Sequence, residues 1–180
     1  KGKVKDGELD AWHIKDKFWE KEKADNIIKK TKGKSTSIND VKKKSSNQSP
    51  PTPFDLTTLQ MEAHRCLRLS PKRTLSLAQE LYTSSFISYP RTSSQKLPKE
   101  IGYKEIIADL SKQKTYSLLC NKLLEKKLTP NEGKKTDPAH PSIYPTGIIP
   151  KEIDSDAKKL YELIVKRFLA TFAQIAKRES

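Results

Sequence analysis

Cysteine is scarce in this chain: only Cys66 and Cys120 occur among 180 residues. Two thiols cannot staple a small secreted domain, and they cannot build a four-cysteine zinc site. Neither has a Cys or His neighbour at ligand spacing, and both fall in apolar helical patterns. Both therefore read as reduced, buried thiols of a cytoplasmic protein. Long apolar runs are also missing, so nothing reads as a bilayer span or a secretory leader. Hydrophobic residues make up 34% of the chain, which points to a thin or divided core. Acidic residues are the scarce charge, 22 against 36 Lys and Arg, and no Asp-x-Asp-x-Glu run suited to Mg²⁺ is present.

What is abundant is positive charge. The net charge is +14, which favours a polyanionic partner: nucleic acid first, a membrane surface second. Residues 1–48 carry 14 basic against 8 acidic side chains, residues 49–147 carry 15 against 9, and residues 148–180 carry 7 against 5. The excess is spread over patterned segments and is not one basic tail, which suits a surface that lines DNA. The chain opens on Lys1-Gly2-Lys3-Val4 and stops just after a strong helical pattern, so both ends read as cut from a longer protein.

Residues 9–19 read as a strand, 20–31 as a short charged helix, and 32–41 as another strand. Residues 42–53, rich in Lys, Ser and Pro, read as an exposed connector. Thr57 with Gln60 resembles a capping box that opens a helix to about Leu69. Ser70-Pro71 is an N-cap followed by proline at the first helical position. The helix it opens runs to about Ser84, with Leu75, Ala78, Leu81 and Tyr82 on one face. The pair resembles a helix-turn-helix, with residues 86–89 as a short strand after it, which makes a winged-helix-like unit. Helical patterns follow over 99–110 and 115–126. Residues 129–150, dense in Pro and Gly, read as irregular. From Ser155 a long helix places Leu160, Tyr161, Ile164, Phe168, Phe172 and Ile175 on a core face.

The chemistry-bearing stretch is Ser88-Tyr89-Pro90-Arg91-Thr92. Proline restricts the residue before it to extended backbone and fixes its own φ. On an extended segment side chains two apart share a face, so Tyr89 and Arg91 point the same way. A guanidinium stabilises a nearby phenolate and binds phosphate through paired hydrogen bonds. Such a pair suits a covalent phosphotyrosine intermediate, although a Tyr-Pro pair by itself is more often a packing feature of a turn.

Four ordered blocks resemble type IA DNA topoisomerases. They are Pro50-Pro-Thr-Pro-Phe-Asp-Leu-Thr-Thr-Leu-Gln60, Ala78-Gln-Glu-Leu-Tyr82, Phe86-Ile-Ser-Tyr-Pro-Arg-Thr-Ser-Ser-Gln-Lys-Leu-Pro98 and Ala139-His-Pro-Ser-Ile-Tyr-Pro-Thr146. The wording of residues 92–98 is most similar to archaeal members. The resemblance implies a mixed, mainly α fold: a winged-helix-like, nucleophile-bearing domain over 49–147. Parts of a β-rich arch domain would flank it at 1–48 and, with the long helix, at 148–180. It implies that Tyr89 is the nucleophile, that Arg91 positions the scissile phosphate, and that His140 supports cleavage. Thr92, Ser93, Ser94 and Lys96 would lie along the DNA backbone. Many members carry Asp where this chain has Ser93, so a role resting on that carboxylate does not carry over. The implied partners are single-stranded or negatively supercoiled DNA and the remaining domains of the same polypeptide, with no membrane, in the cytoplasm on the nucleoid. Mg²⁺ would come through an acidic domain outside these residues, with no cofactor held within them. A helix-turn-helix DNA-binding module with a passive tyrosine stays open as an alternative. A tyrosine recombinase would need a His-x-x-Arg pairing upstream of its tyrosine, which is lacking.

Overall fold

The structure is a computed structural model that describes residues 2–4 and 7–180, with side chains from Gly7 onward. The chain forms two units, Lys1–Lys44 and Ser45–Ser180. In the first, β1 (Gly2–Val4) pairs antiparallel with β2 (Gly7–Leu9), and α1 spans Lys21–Thr31. None of its described side chains is buried, and Trp12, Ile14 and Trp19 are exposed. The strands expected over 9–19 and 32–41 are absent beyond Leu9. A strand persists only where a neighbour pairs its backbone groups, and these residues have no such neighbour among the described residues.

The core lies in the second unit. There β3 (Ser45–Gln48) pairs antiparallel with β4 (Ala176–Glu179), Ser45 opposite Glu179. Between them run α2 (Leu56–Leu67), α3 (Pro71–Thr83), a 3₁₀ turn at Lys99–Ile101, α4 (Tyr103–Ser111), α5 (Lys114–Leu124) and α6 (Ser155–Thr171). Helix α6 packs against both α2 and α3, and α4 packs against α5. Phe168, Ile164 and Leu160 of α6 share one buried cluster with Leu59 of α2 and with Leu77 and Leu81 of α3. The segment after residue 148 thus supplies part of the core shared with α2 and α3. Among the described residues no helix is long and apolar enough to cross a membrane.

Several local expectations hold. Ser70 Oγ accepts from Arg73 N at 3.2 Å with Pro71 first in α3. The long helix begins at Ser155 behind its cap Asp154. Others shift. The cap of α2 is Asp55, not Thr57, and Thr58 closes the capping box. Ile175 lies beyond the end of α6 and is 61% exposed. Cys120 is buried, which pushes its thiol pKa up, whereas Cys66 is exposed on α2. Tyr82 leaves the core face of α3 and is exposed, while Thr74 and Leu77 are buried there. No extended sheet forms around residues 86–89. Two isolated bridges, Phe54 with Ile143 and Ile87 with Pro145, take its place.

Asp55 ties these elements together. Its Oδ1 accepts from Thr58 N at 2.7 Å and from Thr58 Oγ1 at 2.6 Å. Its Oδ2 accepts from Lys135 Nζ at 2.9 Å and Gln95 Nε2 at 3.3 Å. Burial raises its pKa, but the Thr58 bonds and Lys135 outweigh that and hold it below the ordinary 3.8. A depressed carboxylate contributes stability above its unfolded pKa and loses it as pH falls through the folded value. We expect Asp55→Ala to cost about 2 kcal/mol, from the lost cap and the unpaired groups left behind. Urea unfolding of the chain checks this, and an unchanged midpoint would rule out the tie.

Candidate active site

The site begins where α3 ends. Ser85 adopts a left-handed φ of 61°. Its N–H donates to Tyr82 O at 2.8 Å, and Phe86 N donates to Leu81 O at 2.9 Å. This closes the helix and turns the chain into residues 86–97. The irregular stretch 129–150 wraps that segment. Ser88 N donates to Tyr144 O at 2.9 Å, and Thr146 N donates to Phe86 O at 3.0 Å. Ser88 Oγ donates to Ser142 O at 3.1 Å and accepts from Tyr144 N at 3.0 Å. Gln95 N donates to Lys135 O at 3.0 Å, and Gly133 N donates to Gln95 O at 3.2 Å. A side chain at Gly133 would force a shift, since its Cβ would lie 2.8 Å from Gln95 Cβ, which cannot swing aside as the Gln95 amide can. Lys96 O accepts from Ser142 N at 2.9 Å.

Burial along this segment alternates with period two. Pro90, Thr92 and Ser94 are buried, whereas Arg91 and Ser93 are exposed and Tyr89 is half-buried. Tyr89, Arg91 and Ser93 thus share an outward face, as extended geometry requires. Among the described residues neither the Tyr89 hydroxyl nor the Arg91 guanidinium has a hydrogen-bond or ion-pair partner. The Tyr89 ring contacts two others. The His140 ring is tilted against it with centroids 4.5 Å apart, and Tyr82 meets it edge-on at 5.3 Å. The fold therefore brings together Tyr89, Arg91 and His140, the last from 51 residues along the chain.

The other expected site residues divide. The hydroxyls of Thr92 and Ser94 turn inward: Thr92 Oγ1 donates to His140 O at 3.3 Å, and Ser94 Oγ accepts from Lys96 N at 3.1 Å. Lys96 is half-exposed and its Nζ pairs with Glu132 Oε2 at 3.3 Å. It lines an open cleft of about 440 Å³ together with Ser94, Thr136, Asp137 and His140. Ser93 Oγ donates to Asp137 Oδ2 at 3.2 Å, so the carboxylate lacking at position 93 is present beside it.

Sequence reasoning missed Asp137 and Tyr82. Asp137-Pro138 just before Ala139-His140 is a turn signature, which was the available signal for the first. Tyr82 carried none, since its helical phase matched the core face. The N–H groups of Ala139, Ser93 and His140, with the Ser93 hydroxyl, hold the Asp137 carboxyl down at about 2. Its bonds are then complete above the ordinary 3.8 and disappear only as pH falls through about 2. An NMR titration of the Asp137 side-chain carbon should show it still ionised at about pH 3. A midpoint at the ordinary value would mean these bonds do not persist in solution.

Among the described residues no three His, Cys, Asp or Glu side chains converge to hold a metal. The described residues therefore do not fit a metal site. The arrangement can present a phenol to a phosphodiester, with a cation two residues away and an imidazole against its ring.

A family model described as DNA topoisomerase matches residues 2–180. DNA topoisomerase 1 of Methanothermobacter thermautotrophicus is 46% identical over 160 residues, 89% of this chain and 22% of that protein. DNA topoisomerase 1 of Pyrococcus horikoshii is 48% identical over 173 residues, 94% of this chain and 25% of that protein. The solved full-length topoisomerase I of Thermotoga maritima superposes with a TM-score of 0.62 at 30% identity, covering 91% of this chain and 27% of that one. The chain spans about a quarter of the length of these relatives. With that match over nearly all of its residues, the chain belongs to the type IA DNA topoisomerase family.

Proposed function

We propose that this chain carries the nucleophile of a type IA DNA topoisomerase. Tyr89 Oη attacks a phosphodiester of one DNA strand, a Tyr–O–P bond to the 5′-phosphate forms, and the 3′ oxygen leaves as a hydroxyl. A strand passes through the gap. The 3′-hydroxyl then attacks the phosphotyrosine, restores the backbone and releases Tyr89. The phosphodiester energy is held in the covalent link, so relaxation needs no ATP. Arg91 binds the scissile phosphate and stabilises charge as it develops. His140, against the Tyr89 ring, supports binding and cleavage at that phosphate. Ser93 and Lys96 lie along the backbone of the bound strand, and Thr92 and Ser94 brace the segment from within.

The observation that carries this reading is a free phenol flanked by His140 at 4.5 Å, on the same face as an unpaired Arg91. The net charge of +14 supports a DNA partner. The substrate we infer is single-stranded or negatively supercoiled DNA, met on the nucleoid in the cytoplasm. We take α2, α3 and their bridged loops as a winged-helix-like unit. Mg²⁺, on this reading, is held by acidic residues outside the chain, so the chain by itself is inactive. Cleavage by the isolated chain with Mg²⁺ would refute that point.

The test uses a chimera in which this chain replaces the matching stretch of the Methanothermobacter thermautotrophicus relative. A single-stranded oligonucleotide labelled at its 3′ end is added and the reaction is stopped with detergent. The label should migrate with the protein, and peptide mapping should find the adduct on Tyr89. Attachment elsewhere, or attachment of 5′-labelled strand instead, overturns the proposal.

A further inference from the structure

We propose that Asp137 is a positioning residue for the Tyr89 reaction, fastening the turn that carries His140 to the outward face that carries Tyr89 and Arg91. This rests on the reading of Tyr89 as nucleophile and adds what sets the distance between the two rings.

The two carboxylate oxygens divide the work. Oδ1 accepts from Ala139 N at 3.0 Å and His140 N at 3.1 Å, which shapes the turn. Oδ2 accepts from Ser93 N at 3.3 Å and Ser93 Oγ at 3.2 Å, which fastens the turn four residues past Tyr89. The single Ser93 hydroxyl proton is shared with Thr136 O at 3.3 Å. On the inner side, Thr92 Oγ1 holds the carbonyl of His140 at 3.3 Å. Both backbone groups of His140 are therefore committed, its N–H to Asp137 and its C=O to Thr92. Both holds lead to the segment that carries Tyr89, one directly and one through Ser93. The imidazole itself makes no hydrogen bond among the described residues, so its nitrogens are left for a ligand while its ring lies against Tyr89.

A carboxylate is required and an amide does not replace it. Four donors converge on two oxygens, and asparagine would turn its NH₂ toward one donor pair. Catalysis by assembled groups depends on placement at the ångström scale, so loosening this turn should appear in the rate and leave binding intact.

Two measurements test this. In the 180-residue chain, the nuclear Overhauser contact between the Tyr89 and His140 ring protons should be strong, be lost in Asp137→Asn and weaken in Ser93→Ala, with the unfolding midpoint unchanged. In the chimera, Asp137→Asn should slow single-turnover cleavage of a bound single-stranded oligonucleotide by about 10²-fold, with its affinity unchanged. Ser93→Ala is read by the ring contact alone, because its side chain also lies along the bound strand, and an unweakened contact there overturns the proposal if Asp137→Asn fails to fold. The proposal is overturned if the ring contact survives Asp137→Asn, if the contact is lost with the cleavage rate unchanged, or if affinity falls in step with rate. Failure of the Tyr89 reading is separately visible, because a Tyr89→Phe chimera would then still cleave.

Discussion

Replacing Tyr89 with phenylalanine in the chimera is expected to lower DNA relaxation by about 10⁴-fold or more, the scale on which removing a covalent nucleophile acts. The substitution removes one oxygen and little else. The Tyr89 hydroxyl has no hydrogen bond to lose among the described residues, and the ring keeps its neighbours Tyr82 and His140. Folding should be unaffected. Single-stranded oligonucleotide affinity should stay within about five-fold, the equivalent of one hydrogen bond. Relaxation near the parent level would exclude Tyr89 as nucleophile and favour a passive DNA-binding role for this helical unit. Gel-based relaxation and fluorescence anisotropy on the same preparation separate the two outcomes.

The largest expected effect on stability is at Phe54. This ring is fully buried, and its residue sits immediately before the Asp55 cap. Its carbonyl accepts from Ile143 N at 2.8 Å, which anchors the wrapping loop. Arg167 Cζ of α6 lies 4.2 Å above the ring, with Nη1 donating to Thr52 O at 3.3 Å. Burial lowers the Arg167 pKa, and Glu62 at 3.8 Å opposes that shift. Phe54→Ala should therefore cost about 4 kcal/mol, from the cavity and from a half-buried guanidinium left without its ring. That is a large share of the stability of any domain of this size. Phe54→Leu should cost about half as much, because it keeps apolar volume and loses only the ring face. Denaturant midpoints for both variants check this, and equal midpoints for wild type and Phe54→Ala would remove Phe54 from the centre of the core.

Much of the local structure was legible before any coordinate. Ser70-Pro71 announced the start of α3, because a cap side chain and a proline act within one turn of backbone. The core face of α6 followed from apolar residues recurring every three or four positions, up to Phe172. The failures have one physical cause. Ile175 kept the period but lay past the helix end, and the capping-box pattern at Thr57 lost to Asp55, which also reaches Lys135 and Gln95. Cys66 and Tyr82 sat on apolar-looking faces, yet both stay exposed, Tyr82 with only its ring edge against Tyr89. Periodicity says which side of a helix is apolar, not whether anything packs on it.

The same division runs through the site that Tyr89 anchors. The residue order alone dictated that Tyr89 and Arg91 share a face, because Pro90 forces extended backbone and extended backbone alternates. It also determined a cationic chain and the family resemblance. Packing in three dimensions is what sets His140 against Tyr89, turns Ser93 out while Thr92 and Ser94 turn in, and lets Asp137 join the two segments. Those facts depend on how residues 129–150 wrap residues 86–97. That wrapping is set by hydrogen bonds between segments some forty to sixty residues apart, which no local rule of backbone or side chain encodes.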